Sequence, residues 1–141
     1  MGRLFVIVLD THVLIWALGD DGRLGLQARA AIEAAGEGSV VVSAITPWVI
    51  AMLVQKGRLA LADDVGAWLE TVLALPALRL AALEPAIAVD SVRLPGTLHA
   101  DPADRLIIAT ARHLGFPLLT ADRAILDYGN AGHVHVIDAS R

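Results

Sequence analysis

Four aspartates lie next to the ends of apolar segments, at three places that are far apart in the chain. Asp10 follows the apolar run 4–9, Asp122 follows the apolar run 117–120, and the other two flank the start of a predicted helix. Carboxylates that are brought together repel one another unless protons or a cation neutralise them, and Mg²⁺ or Mn²⁺ is the usual neutraliser. If the fold gathers these junctions, the chain builds an acidic metal site from Asp10, Asp101, Asp104 and Asp122.

An aspartate at a helix start also has a simpler explanation, because Asp is a favoured N-cap residue. Capping is the favoured interpretation of Asp101 taken alone, since Pro102 follows it at the first helical position and Asp104 falls at the third. Asp10 is different, because it ends an apolar run of six residues and leads into another apolar segment. A poorly solvated carboxylate usually has a partner.

The elements that must position these residues alternate between strands and helices. The runs 4–9 and 40–42 are continuously apolar, which is typical of a parallel sheet covered on both faces. In such a chain each helix begins where the preceding strand ends, so the four aspartates are expected at one edge of the sheet. Strands are predicted at 3–9, 39–43, 78–81, 117–120 and 133–137. Helices are predicted at 11–18, 24–35, 46–57, 63–74, 84–92, 102–114 and 122–128, with Gly36, Gly57, Gly115 and Gly129 as stops.

Composition indicates one α/β domain spanning 1–141, because 141 residues with 56% hydrophobic content suffice for a core. The absence of Cys excludes disulfides and thiolate sites and is compatible with the cytoplasm, where we expect the protein. The N-terminus lacks the pattern of a signal peptide, and polar residues and a proline interrupt the uncharged stretch 38–55, so no membrane association is expected.

The net charge of −4, with one Lys against ten Arg, gives no broad basic face for nucleic acid. Single arginines can still contact phosphates, although each alone is more simply a solvated residue. The candidates are Arg23, Arg29, Arg58, Arg105, Arg112 and Arg123.

Aromatic and imidazole side chains have more ordinary explanations. Core or subunit packing is the default for Trp16, Trp48 and Trp68, which lie on predicted apolar helices, and base stacking is the minority alternative. His12 and His99 lie near candidate ligands, but hydrogen-bonding or surface roles are favoured for both. The spacing of His113, His133 and His135 does not suit a zinc site, and these are interpreted as structural.

Four motifs in order, at 9–16, 43–48, 101–111 and 119–123, make the chain resemble a PIN-domain protein, specifically a VapC-type toxin. The resemblance covers nearly the whole chain. It implies a three-layer α/β/α sandwich with a central, mainly parallel sheet of about five strands. It also implies an Mg²⁺- or Mn²⁺-dependent endoribonuclease with an RNA substrate, a cognate antitoxin and a homodimer.

The resemblance also implies residue roles. Asp10, Asp104 and Asp122 correspond to the catalytic metal ligands, and Asp101 to a supporting acid. Thr11 and Ser43 are implied to be polar neighbours, and Thr120 an orienting hydroxyl.

The family pattern expects Glu at the position of Val49. The sequence alone shows the same oddity, because Thr46 as N-cap and Pro47 at N1 would put residue 49 at N3, where a capping box has Glu or Gln. Either the substitution is engineered to inactivate a toxic nuclease, which is modestly favoured, or it is natural in a member that binds an antitoxin or RNA without cleavage. No substitute ligand is evident among Glu33, Glu37, Glu70 and Glu84.

A rival enzyme class, the receiver domains and haloacid-type phosphatases, also places an Asp at a strand end. Those proteins need a Lys beside a later strand, and the single Lys here is Lys56, late in a predicted helix. This alternative is weakly supported.

Overall fold

A computed structural model describes residues 5–141. Strands and helices alternate along most of the chain. The strands are β1 (Ile7–Leu9), β2 (Val40–Ser43), β3 (Leu78–Ala81), β4 (Leu118–Thr120) and β5 (Val136–Asp138). The helices are α1 (Thr11–Leu18), α2 (Leu26–Glu33), α3 (Thr46–Gln55), α4 (Val65–Leu73), α5 (Pro85–Val92), α6 (Pro102–Leu114) and α7 (Arg123–Asn130).

The five strands form one parallel sheet in the order β3-β2-β1-β4-β5. The first strand is therefore central, with Leu9 beside Val42 on one side and Leu119 on the other. The order reverses at β1, because the chain moves outward to β2 and β3 and then returns to β4. Ligands of open parallel sheets bind beyond the carboxyl ends of the strands at such a reversal.

Side chains of β1 alternate between two apolar cores. Ile7 and Leu9 pack with residues of α1, α2, α3 and α4 on one face. Val8 packs with residues of α6 and α7 on the other, and α5 lies against α6. The buried sheet between two helical layers confirms the predicted three-layer α/β/α sandwich. No helix within residues 5–141 is long and apolar enough to cross a membrane.

Several predicted boundaries are wrong. Phe5 and Val6 were predicted to belong to the first strand, but β1 begins at Ile7; the predicted strand residues 3 and 4 lie outside the described part of the chain. Strand β5 begins at Val136 and not at 133, because the His133 amide still bonds the Tyr128 carbonyl at the end of α7. The backbone pairing with β4 starts where the Leu118 amide donates to the His135 carbonyl, at 2.8 Å.

Gly129 was predicted to stop a helix, but α7 continues through it to Asn130. The reason for glycine here is steric, because a Cβ on Gly129 would lie 2.2 Å from Cγ2 of Val136 on β5. Gly115, by contrast, ends α6 as predicted, with a left-handed φ of 73°.

The start of α3 also differs from the expected capping pattern. The N-cap residue is Ile45, which has helical backbone angles and no side-chain cap, so Thr46 is N1 and Val49 is N4. The capping-box argument for residue 49 is therefore wrong. The Thr46 hydroxyl instead lies 3.1 Å from the Thr11 hydroxyl.

Candidate functional site

Asp10 occupies the junction between the central strand β1 and helix α1. Its side chain is buried, with 6% of the residue exposed, and both carboxylate oxygens are engaged. Oδ1 accepts a hydrogen bond from the Thr11 amide at 2.8 Å, and Oδ2 accepts one from the Thr120 hydroxyl at 2.8 Å. Burial raises the pKa of Asp10, and these two hydrogen bonds oppose the rise. The carboxylate is therefore held in one orientation, in a place that disfavours its charge.

Thr120 links two of the acidic residues. While its hydroxyl donates to Asp10, its Oγ1 accepts a hydrogen bond from the Asp122 amide at 3.1 Å. The residue is fully buried at the end of β4, beside β1. This one hydroxyl therefore fixes the Asp10 carboxylate relative to the backbone that carries Asp122.

The start of α6 supplies two more carboxylates. Asp101 is the N-cap, and its Oδ1 accepts from the Asp104 amide at 2.8 Å, which confirms the predicted capping role. Asp104 lies in the first turn and is partly buried. Burial, followed by the negative charges of Asp10, Asp101 and Asp122, raises the pKa of Asp104 to about 7. The other three carboxylates therefore lie within electrostatic range of Asp104.

Asp122 caps the next helix. Its Oδ1 accepts a hydrogen bond from the Ile125 amide at 3.1 Å, in the first turn of α7, and the residue is exposed. Asp122 and Asp101 thus serve as caps, while the Asp104 side chain has no hydrogen-bond partner within residues 5–141. Of the four carboxylates, that of Asp104 is the one least committed to the fold.

A cavity of about 750 Å³ joins these residues at the carboxyl edge of the sheet. All four aspartates line it, together with Thr11 and Val49. The rest of its lining is largely apolar and includes Ile15, Trp16, Trp48, Met52, Leu53 and Leu59. One cavity therefore combines acidic with apolar lining residues.

The predicted polar neighbours are not equivalent. Thr11 lines the cavity, whereas Ser43 is fully buried and does not line it. The Oγ of Ser43 accepts a hydrogen bond from the Ile45 amide at 3.2 Å and so shapes the turn between β2 and α3. Among the histidines, His12 lines the cavity and His99 does not. Neither Lys56 nor any of the four glutamates considered as substitutes lies on its wall.

The donors suit a hard cation, because carboxylates and hydroxyls are the ligands that Mg²⁺ and Mn²⁺ prefer. Within residues 5–141, however, no three His, Asp or Glu side chains are close enough to form a complete metal site. Mg²⁺ usually keeps several waters and takes only one or two carboxylates directly, so a looser arrangement still fits it. The mutual repulsion at Asp104 is the feature that a cation would relieve.

The sequence interpretation did not place Trp48 at the cavity. It assigned Trp48 by default to core or subunit packing; core packing is wrong, because 56% of the residue is exposed and it lines the cavity. Arg23 and Arg58 line it too, whereas Arg105 and Arg112 donate to backbone carbonyls elsewhere. The sequence signal that could have placed Trp48 at the cavity is its position directly before Val49, in the first turn of the helix that follows β2.

Comparisons with known proteins agree with this geometry. The sequence profile of the PIN domain matches residues 7–131. Over 119 residues the chain is 38% identical to Ribonuclease VapC22 of Mycobacterium tuberculosis, which covers 84% of this chain and 88% of the relative.

Solved structures share the fold at lower identity. A toxin-antitoxin complex from Klebsiella pneumoniae contains a chain with a TM-score of 0.63 and 24% identity, covering 94% of this chain and 97% of its own. A chain of FitAcB from Neisseria gonorrhoeae gives 0.65 at 20% identity, with 95% and 98% covered. A chain of DNA-bound VapBC from Salmonella typhimurium gives 0.66 at 16% identity, with the same coverage. From the extent of the profile match and the identity to VapC22, the chain belongs to the PIN-domain family, in its VapC branch.

Proposed function

We propose that this chain is a divalent-metal-dependent endoribonuclease that acts as the toxin of a toxin-antitoxin pair. The observation that carries the proposal is the cavity lined by four aspartates, in which Asp10 is buried and oriented and Asp104 lies within electrostatic range of the other three. The relative at 38% identity is named a ribonuclease, which supports RNA as the substrate. Hydrolysis of a phosphodiester is the reaction class that suits carboxylates arranged to hold hard cations.

Asp10, Asp104 and Asp122 would hold Mg²⁺ or Mn²⁺, with Asp101 supporting them at the rim. When bound, the cation supplies positive charge opposite the scissile phosphate and acidifies an attacking water. Thr11 and Thr120 already orient the Asp10 carboxylate, so its side chain would lose little conformational freedom on binding the cation. Burial, followed by the charges of the other three aspartates, raises the pKa of Asp104 to about 7, so Asp104 would have to be deprotonated in order to hold the cation.

The test is cleavage of single-stranded RNA with Mn²⁺, Mg²⁺ or EDTA. We expect Asp10→Asn and Asp104→Asn to abolish any metal-dependent cleavage, while Asp127→Asn, an exposed carboxylate of α7 outside the cavity, leaves it unchanged. Cleavage that persists in EDTA, or in both site variants, would refute the metal-dependent mechanism.

Val49 is proposed to impair this form of the enzyme. It lines the acidic cavity, where a valine neither neutralises a cation nor accepts a hydrogen bond. We expect Val49→Glu to tighten Mn²⁺ binding in calorimetry by at least tenfold, to raise RNA cleavage by orders of magnitude and to slow host growth when expressed without antitoxin. The matched control is Val92→Glu, which adds the same charge at a site on α5 that is 79% exposed and outside the cavity.

The alternative is a protein that binds an antitoxin or RNA without cutting, and the position of Val49 is what favours it. If Val49→Glu binds Mn²⁺ no more tightly than the unchanged chain and leaves RNA intact, the missing-ligand explanation fails. The non-catalytic function then becomes the better proposal.

A cognate antitoxin and a homodimer complete the proposal, together with a cytoplasmic location. The support for an antitoxin is that the structures sharing this fold include complexes named as toxin-antitoxin and VapBC assemblies. Co-expression of the chain with the product of a neighbouring reading frame, followed by co-purification, tests that partnership.

A further inference from the structure

Trp48 is a large aromatic side chain exposed beside an acidic cavity. It lies in the first turn of α3, with 56% of its surface exposed, and it lines the same cavity as the four aspartates. Leu26 and Val92 are more exposed, but neither borders this cavity. Trp48 is therefore placed to contact whatever binds the carboxylates.

The surroundings of Trp48 combine aromatic and cationic groups. Trp16 lines the same cavity, and the Arg23 guanidinium lies 5.1 Å from the centre of its ring. Asp21 holds that guanidinium in place through an ion pair of 2.7 Å, while 68% of the Arg23 side chain stays exposed. The exposed Arg58 lines the cavity as well. Aromatic faces interleaved with arginines are the usual composition of a surface for single-stranded nucleic acid.

We infer that Trp48 is a substrate-binding residue that stacks on an unpaired base of the RNA, next to the phosphate that the aspartates would hold through a bound cation. The inference rests on the proposed ribonuclease function and adds a selection for single-stranded RNA. Stacking requires a base that is free of its helix, because the faces of paired bases are covered by their neighbours.

Charge and shape favour a nucleotide over a protein segment at this position. The aspartates with their cation and the two arginines both suit a phosphate-bearing chain, and the apolar lining suits a base. The volume of about 750 Å³ lies within the range of roughly 300–1,000 Å³ typical of small-ligand sites. A second protein copy that covered Trp48 is the competing explanation, and the experiment below separates the two.

The first measurement is the affinity for RNA without cleavage. A fluorescein-labelled, random-sequence, single-stranded 12-mer is titrated with Ca²⁺ in place of Mg²⁺ or Mn²⁺, because Ca²⁺ binds carboxylates but does not adopt the strict octahedral geometry of Mg²⁺. We expect Trp48→Leu to weaken binding roughly 5- to 150-fold, the range found when stacking aromatics are removed, and Trp48→Phe to weaken it far less. The affinity for a 12-base-pair RNA duplex should be the same in all three proteins.

Tryptophan fluorescence gives a second, structural readout. The single-stranded RNA should quench the emission of the unchanged chain and of Trp68→Phe, whose indole packs against the core under α4 and does not line the cavity. It should quench Trp48→Phe much less. Leu26→Ala, at a site that is 85% exposed away from the cavity, controls for loss of an exposed apolar group.

The possible outcomes distinguish the inference from the proposed function. Equal affinities for Trp48→Leu and the unchanged chain overturn the inference but leave the ribonuclease proposal standing if RNA is cleaved. If Trp48→Leu changes the sedimentation of the protein but not its affinity for RNA, Trp48 is a protein contact and the inference is overturned. If RNA is neither bound nor cleaved, with Val49 or with Glu at that position, both fall.

Discussion

Asp10 and Thr120 are 110 positions apart in the chain, yet the Thr120 hydroxyl donates a hydrogen bond of 2.8 Å to the Asp10 carboxylate. The contact is buried, and the oxygen of the same hydroxyl accepts a hydrogen bond from the Asp122 amide. Losing it would leave Asp10 with one oxygen unsatisfied in a poorly solvated place, and would free the turn that carries Asp122.

Thr120→Val is therefore expected to reduce metal-dependent cleavage and Mn²⁺ affinity by about 10- to 100-fold, the usual effect of losing a group that orients a metal ligand. Calorimetry with Mn²⁺ and cleavage assays, both in the Val49→Glu background, measure this. Thr120→Ser keeps the hydroxyl and should retain most of both. Equal loss in the Ser and Val variants would indicate a packing role for Thr120 and not an orienting one.

The carboxylate of Asp104 makes the stability of the metal-free protein depend on pH. Its pKa is about 7 in the folded chain, against an ordinary value of 3.8. A raised pKa means that its contribution to stability is complete below about pH 4 and is lost as the pH rises through 7. Solvent screening of this partly exposed group limits the loss to the order of 1 kcal/mol.

We therefore expect Asp104→Asn to raise the Tm of the metal-free protein by about 2–4 °C at pH 8 and to change it little at pH 4. Thermal unfolding in EDTA at several pH values checks this. Asp127→Asn is the control and should show no such trend. Lower stability of Asp104→Asn at pH 8 would mean that the repulsion among the aspartates is not what destabilises the site.

At the scale of elements, α7 and β5 approach so closely that only glycine fits between them. A Cβ at position 129 would lie 2.2 Å from one methyl of Val136 and 2.7 Å from the other. We expect Gly129→Ala to destabilise the protein by about 1–3 kcal/mol, the usual effect of overpacking, in spite of the higher helix propensity of alanine. Urea unfolding monitored by circular dichroism measures it.

Val136→Ala provides the space that Gly129→Ala needs. In a double-mutant cycle the two substitutions should be less destabilising together than the sum of the single effects. Simple additivity would show that the close approach of helix and strand is not the reason for the glycine.

Local signals predicted some elements well and others poorly. The bounds of α6 were predictable because Asp101 and Pro102 mark its start and Gly115 its end, and all three act locally. The alternation of valine and histidine at 133–136 resembles a strand, but the His133 amide bonds back to Tyr128, and this contact depends on the end of α7. Gly129 was wrongly predicted to end a helix for a similar reason, because the need for glycine there depends on its close contact with Val136 on another element.

The acidic side of the site was predictable because parallel topology places every strand end at one edge. The two hydroxyl contacts of Thr120 are consistent with an orienting role, whereas Ser43 turned out to be buried away from the cavity. Trp48 was assigned to packing because the sequence around it is apolar, and apolar neighbours do not show which side of a helix faces a cavity. Which side of α3 faces the cavity is determined by the packing of α3 against other elements.

For the whole molecule, the apolar surface on α3 and α4 predicts association. Val54 on α3 is partly exposed, and Leu75, just beyond α4, is 39% exposed, and neither lines the acidic cavity. Apolar patches of this kind are common at protein interfaces. We expect a homodimer at micromolar concentration, measured by light scattering and sedimentation.

Leu75→Glu should weaken that dimer at least tenfold, whereas Leu26→Glu, which adds a charge at an exposed site outside α3 and α4, should not. A stable monomer at high micromolar concentration would contradict this prediction. An unchanged dimer in Leu75→Glu would place the interface elsewhere.

The position of β1 at the centre of the sheet also sets the time at which the site can exist during synthesis. Asp10 is made before β4, and Thr120 and Asp122 follow it more than a hundred residues later. Chains are synthesised from the N-terminus at about 5–20 residues per second, so for several seconds a nascent chain carries Asp10 without the hydroxyl that orients it. A ribosome making this protein is therefore not exposed to an assembled acidic site until translation has passed Asp122. Fragments released before β4 lack Asp122 and the partner of Asp10, so premature termination yields no competent site.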